Sequence, residues 1–264
     1  MSETEESAPQ AEPSAPSEGP DLRKLVAYSV TTGLCPLIPI PFLDDWTRDL
    51  LRRRHVAGIA GSHGLQPDNE ALSVLALGEQ LWSPSGCLRG CLLVGLLKSS
   101  LYVVRKLFLK VFRTVMIFLT LRTCSLELSR SFHEAFLLDH GMRLGALPQD
   151  MTQIPRERVL GLRQAVEDTV QEVDAGPVTR VVRATLASSG GLLRHAAKSL
   201  GKKLQTLRRR QTDEAEIGRQ LDLEGSEELS RLIDELTTRL ANETEYLEEL
   251  KARLEQRLGV HPTS

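Results

Sequence analysis

Between Gln80 and Leu126 the chain has no Asp and no Glu, yet those forty-seven residues hold seven Lys or Arg. Aromatic residues make up only 4% of the 264, and Gly and Pro gather at joints, which argues against an all-β design. Only four cysteines are present (Cys35, Cys87, Cys91 and Cys124), too few for a disulfide framework at this length, so a reducing compartment is expected. The N-terminal stretch lacks a basic region followed by an apolar one, so it does not read as a signal peptide. Also absent are G-x-S-x-G, G-x-x-x-x-G-K-[ST], and a G-x-G-x-x-G placed after a strand.

What is present is charge sorted along the chain. Residues 1–21 carry six acids and no base, and residues 22–122 carry thirteen bases against six acids. Residues 156–210 carry twelve bases against five acids, and residues 211–264 fourteen acids against six bases. The formal net charge of −2 conceals a basic body with acidic ends, open to self-masking or to partner docking. The first twenty-one residues, rich in Pro, Ser and Glu, read as a disordered acidic tail.

Leu25 to Leu43 are uncharged, close to the length of a membrane span. Gly33, Pro36, Pro39 and Pro41 interrupt that run, so a short helix over about 22–33 followed by an extended turn is expected. The turn could be a re-entrant edge at a membrane or a buried joint in a bundle. An amphipathic helix follows over Asp44–Ala60. Its apolar face contains Leu50 and Leu51, its polar face Arg52 and His55, and Arg54 falls among the apolar positions. Arg54 could snorkel to water or lipid phosphate, or pair with a carboxylate of another helix. Asp68–Trp82 reads as the next helix. Gly86/Gly90 and Cys87/Cys91, each four residues apart, would allow close helix approach.

At 100° per residue, Lys98, Arg105, Lys106, Lys110 and Arg113 share one arc about 140° wide, with Phe108 and Phe112 on the opposite side. A basic arc beside a broad apolar face suits an anionic membrane surface, and the charges argue against an ordinary span. The apolar pattern continues to Leu138, with Gly141 as the expected terminator. Residues 22–141 thus form a hydrophobic helical domain and 142–156 a linker. Residues 157–210 form a basic helical region, with Gly176-Pro177 ending its first helix, and 211–264 an acidic C-terminal region. In the last, Leu229, Ile233, Leu236, Leu240, Leu247, Leu250 and Leu254 follow a heptad over 226–258. A short coiled coil or helical hairpin, giving a homodimer or holding a protein partner, and a helix folded back on the basic 194–210 run are all compatible with it.

His133-Glu134 with His140 has the wrong spacing for a zinc helix, which needs His at i and i+4. Cys87 and Cys91 have apolar neighbours and read as packing residues. The basic run 194–210 has no interleaved aromatics, so nucleic acid is not expected. No catalytic residue, cofactor or metal is expected from these patterns.

The segment Pro39-Ile40-Pro41-Phe42-Leu43-Asp44, Leu50 or Leu51, Val56–Ala60 and Gly64 resembles YcjF-like domains and, more loosely, EcsC-like proteins. Those helical, membrane-linked domains often accompany bacterial GTPases. The similarity covers residues 35–64, and Arg53-Arg54-His55 depart from its more neutral pattern. The resemblance implies a helical membrane-linked protein and carries over no site residue. The expectation is therefore an all-α multi-helix bundle with a disordered N-terminal tail and a C-terminal coiled-coil-like helix. It would act as a non-enzymatic scaffold or interaction protein on the cytoplasmic membrane face. A soluble cytoplasmic adaptor, whose basic helix packs on its own acidic C-terminal region, is the alternative.

Overall fold

The computed structural model describes residues 21–35, 43–78, 102–148, 154–189 and 227–260, with the backbone alone at 43–47, 102–121 and 228. These residues form eight helices and no strand: α1 (Leu22–Gly33), α2 (Leu43–Ser62), α3 (Asn69–Leu77), α4 (Tyr102–Arg143), α5 (Arg156–Glu172), α6 (Gly176–Ser188), α7 (Glu227–Ala241) and α8 (Thr244–Leu258). The fold is all-α.

Local chemistry sets most of the boundaries. The Asp21 side chain accepts the Lys24 N–H at 3.1 Å, and the Asp68 side chain accepts the Ala71 N–H at 2.7 Å. Each thus satisfies one of the first-turn amides that a helix leaves unpaired. Gly176-Pro177, expected to end a helix, instead opens α6, because proline fits the first turn where no amide partner is needed. α4 runs past Gly141 to Arg143, and the left-handed residue that follows it is Gly145 at φ 73°. Gly141 answers a packing need instead: a Cβ there would lie 2.6 Å from Leu162 Cδ1 of α5.

α4, about 63 Å long at 1.5 Å per residue, is the central element. From Cys124 onward it packs Leu128, Phe132, Phe136, Leu137 and Met142 into the core, against α1, α2, α5, α6 and α8. α1 approaches it closely, since a Cβ on Gly33 would stand 2.6 Å from Leu128 Cβ. α3 packs on α2 and α5, α7 on α1 and α6, and α8 on α5 and α4. One apolar cluster runs through all eight helices and includes Met142 and Leu147, within the stretch expected as a linker. Burial of that shared apolar surface at about 25 cal/mol per Å² is what holds the helices together.

The C-terminal helix expected over 226–258 is two helices, α7 and α8, separated at Asn242 and Glu243. All seven heptad residues are buried: Leu229, Ile233, Leu236 and Leu240 on α7, and Leu247, Leu250 and Leu254 on α8. They join the chain's own core, so the continuous coiled-coil helix gives way to two core helices. The break falls at the charged Glu243, which occupies a d position of the heptad. The basic 194–210 run and Cys87/Cys91 lie outside the described residues.

Candidate functional site

α4 also carries polar groups into the core, and they meet charges from α2 and α5. Arg163, a 3% exposed residue of α5, gives its Nε–H to Glu167 Oε1 at 2.7 Å. Its Nη1 donates to the Leu75 carbonyl at 3.1 Å and reaches Glu134 Oε2 at 3.4 Å. Arg130 donates from Nε to Glu134 Oε1 at 2.8 Å, so both Glu134 oxygens are taken by arginines. From α2, Arg52 Nη2 donates to Glu127 Oε1 at 2.7 Å. Three arginines thus face three glutamates, and Arg48 adds a fourth positive charge 4.0 Å from Glu127 Oε1. Burial alone would raise the Glu134 pKa. The positive charges of Arg163, Arg52 and Arg130, with the Arg130 hydrogen bond, outweigh it and hold the carboxyl below its usual range.

Two buried histidines flank the cluster in neutral form. His133 Nδ1 lies 2.6 Å from the Ser129 carbonyl, which can only accept, so Nδ1 carries the proton. Its Nε2 therefore accepts from the Tyr246 hydroxyl of α8 at 2.7 Å. Burial pulls the His133 pKa down to about 4, against smaller opposing effects of the Ser129 carbonyl and Glu134. Burial likewise raises the Tyr246 pKa, keeping the phenol a donor. His55 stacks on Tyr28 with centroids 4.4 Å apart, and its Nδ1 lies 3.2 Å from Thr32 Oγ1. Thr32 spends its own proton on the Tyr28 carbonyl, so His55 is the donor in that pair. Burial first, then Arg54 and Arg52, lower the His55 pKa to about 3. The expected exposed position of His55 is thus corrected: ring stacking and a hydroxyl partner compensate for its burial.

At the far end of α4, His63 Nε2 meets Asp139 at 2.9 Å, Arg143 meets the other Asp139 oxygen at 2.8 Å, and His140 meets Glu255 at 2.8 Å. His133, Glu134 and His140 therefore face three different partner sets. Among the described residues no group of three or more His, Cys, Asp or Glu side chains is arranged to hold a metal ion.

Two cavities adjoin the cluster. The smaller, about 30 Å³, lies between α1, α2, α3, α4 and α5, large enough for one water. Arg52 and Ser131 line it, and Arg52 Nε and Ser131 Oγ have no hydrogen-bond partner among the described residues. The larger is an open cleft of about 670 Å³ between the end of α3, α4, α5 and the start of α6. His133, Glu134, Arg130 and Arg163 line it, and His140 does not.

Of the expected membrane-contact residues, Arg105, Lys106, Phe108, Lys110, Phe112 and Arg113 occupy the first three turns of α4, so the helical spacing behind the arc holds. Their side chains and Lys98 lie outside the described residues. Sequence reasoning missed the cluster around Arg163. Its signal was a charged residue inside the apolar stripe Val159, Leu162, Val166, Val170, with an acid four residues later.

Comparison with protein-family models, with curated proteins and with solved structures finds no match for this chain.

Proposed function

We propose that the protein is a non-enzymatic helical scaffold that docks on an anionic membrane surface through the first half of α4. One observation carries this reading. α4 is a single unbroken helix whose last five turns build the core, and whose first turns contain the acid-free basic and apolar positions. A helix held at one end by a packed body, with Lys106, Lys110 and Arg113 spaced on one arc at the other, is a preformed surface anchor. Each basic residue near an anionic leaflet contributes about 1 kcal/mol. No helix among the described residues is long and apolar enough to cross a membrane, in keeping with attachment along the surface. The similarity of residues 35–64 to YcjF-like domains points the same way.

Among the described residues, five acids of the C-terminal helices pair within the folded body. Asp234 pairs with Arg23, Glu255 with His140, Glu235 with Arg239, Glu227 with Arg231 and Glu248 with Lys251. Liposome flotation tests the reading. The protein should float with vesicles containing phosphatidylserine and stay behind with neutral ones. The triple change Lys106→Gln, Lys110→Gln and Arg113→Gln should abolish the difference. Equal recovery from both vesicle types, or none from either, would overturn it.

A further inference from the structure

The large cleft has more hydrogen-bond donors than its own residues use. Arg163 is 3% exposed, and its Nη2 makes no hydrogen bond to the described residues, although its Nε and Nη1 do. Arg130 spends only Nε, on Glu134, and its side chain is 57% exposed. Ser129 Oγ and Thr179 Oγ1 lie 3.0 Å apart. Only one proton can sit between two hydroxyls, so the accepting member of this pair keeps its own proton to give elsewhere. Among the described residues, most of the charged and imidazole acceptors already have partners. Both Glu134 oxygens are taken, Glu167 gives one to Arg163, and His133 has both ring nitrogens paired.

Apolar residues share the same helix faces, Leu126 one turn before Ser129 and Arg130, and Val170 one turn after Glu167. With Leu77 and Ala175 they make the apolar part of the lining, and Leu126 is 49% exposed, one of two large hydrophobic side chains left open among the described residues. A volume of about 670 Å³ falls within the range of small-molecule sites. We infer that this cleft is a binding site for a small amphiphile with an oxyanion head, its head held by Arg130, Arg163 and the Ser129–Thr179 hydroxyl pair and its short apolar tail laid on Leu126 and Val170. A guanidinium presents parallel N–H groups that match two oxygens of a carboxylate or phosphate, which is why the surplus selects an oxyanion over a neutral polar head. A cationic head is disfavoured because Arg52, Arg130 and Arg163 line the cleft against the two carboxylates of Glu134 and Glu167, an excess of one positive charge among the described residues. The site is separate from the basic arc of α4, and the inference stands whether or not the protein docks on membranes.

Calorimetric titration of the full-length chain tests it, with octanoate and octyl phosphate as probes, octan-1-ol as the tail without charge and acetate as the head without tail. One oxyanion probe should saturate at one molecule per chain and bind at least about tenfold more tightly than octan-1-ol or acetate, as one charge-assisted hydrogen bond implies. The tighter of the two probes then assigns the head as carboxylate or phosphate. Arg130→Gln, which leaves Glu134 its contact with Arg163, should weaken the favoured probe about tenfold. Leu126→Ser should weaken it severalfold through the tail. Circular dichroism melts should show both variants folded at the titration temperature, with Arg130→Gln melting lower because Glu134 keeps one arginine fewer. The inference fails if neither oxyanion probe saturates, if octan-1-ol binds equally well, or if both folded variants bind like the parent.

Discussion

The Tyr246 hydroxyl donates to His133 Nε2 at 2.7 Å, joining α8 to α4 across 113 residues of sequence. The bond is buried, and it completes a chain in which Tyr246 donates to His133 and His133 donates to the Ser129 carbonyl. Replacing Tyr246 with Phe keeps the ring and removes the only donor to Nε2, leaving a buried acceptor unpaired. Such a loss costs about 1–3 kcal/mol. Urea unfolding should show a lower midpoint at unchanged slope, and a midpoint equal to the parent's would mean that the bond contributes nothing.

Stability should fall as the solution is acidified below neutrality. His55 and His133 ionise in the folded chain only near pH 3 and 4, whereas an unfolded histidine takes up its proton near pH 6.5. Their contribution is therefore fully present above about pH 6.5, and the unfolded state binds more protons as pH drops below it. Each histidine removes up to about 1.4 kcal/mol per pH unit down to its folded pKa. Glu134, held low by its arginines, acts in the same direction at lower pH. Urea midpoints at pH 7.5, 6 and 5 should decline in that order. A His133→Gln chain should decline less steeply, and parallel profiles would show that His133 is not part of the effect.

Arg163 and Glu134 form the most deeply buried ion pair, with side chains 4% and 9% exposed. Arg163→Met fills similar volume but leaves Glu134 with Arg130 alone and the Leu75 carbonyl without its donor. Breaking a buried pair in this way costs about 3 kcal/mol. Adding Glu134→Gln removes the stranded charge and should restore part of the loss, a non-additivity that a double-mutant cycle reads directly. Strictly additive effects would mean that the two side chains do not sense each other.

The helices could be read from the sequence because apolar spacing and breaker residues act locally. The cluster could not, because its members are scattered between residues 52 and 246 and only the packing of α2, α4, α5 and α8 brings them together. Arg163 within an apolar stripe and His133 beside Phe132 were visible signs of buried polarity. Their partners were not, since Leu75, Ser129 and Tyr246 carry no pattern of their own. His55 shows the converse error: spacing alone put it on a polar face, whereas its stack with Tyr28 needs α1 to lie against α2. The helix terminator went astray for a related reason. Gly141 and Gly145 look alike in sequence, and only the approach of Leu162 separates a packing glycine from a capping one.

The heptad of the C-terminal region leads to a prediction that separates a core from an interface. Leu236 and Leu250 are 0% exposed within a single chain, Leu236 on the helix that packs on α1 and α6, Leu250 on the one that packs on α4 and α5. Truncating either to Ala should cost about 2–5 kcal/mol, because a cavity remains where the side chain was. If these residues serve the chain's own core, the unfolding midpoint should not change with protein concentration, in the parent or in the variants. A homodimer built on the same leucines would behave differently, since association adds a concentration term to stability. Urea denaturation over a hundredfold range of protein concentration distinguishes the two. A midpoint that rises with concentration in the parent, and ceases to rise in Leu236→Ala, would return these residues to an interface between chains.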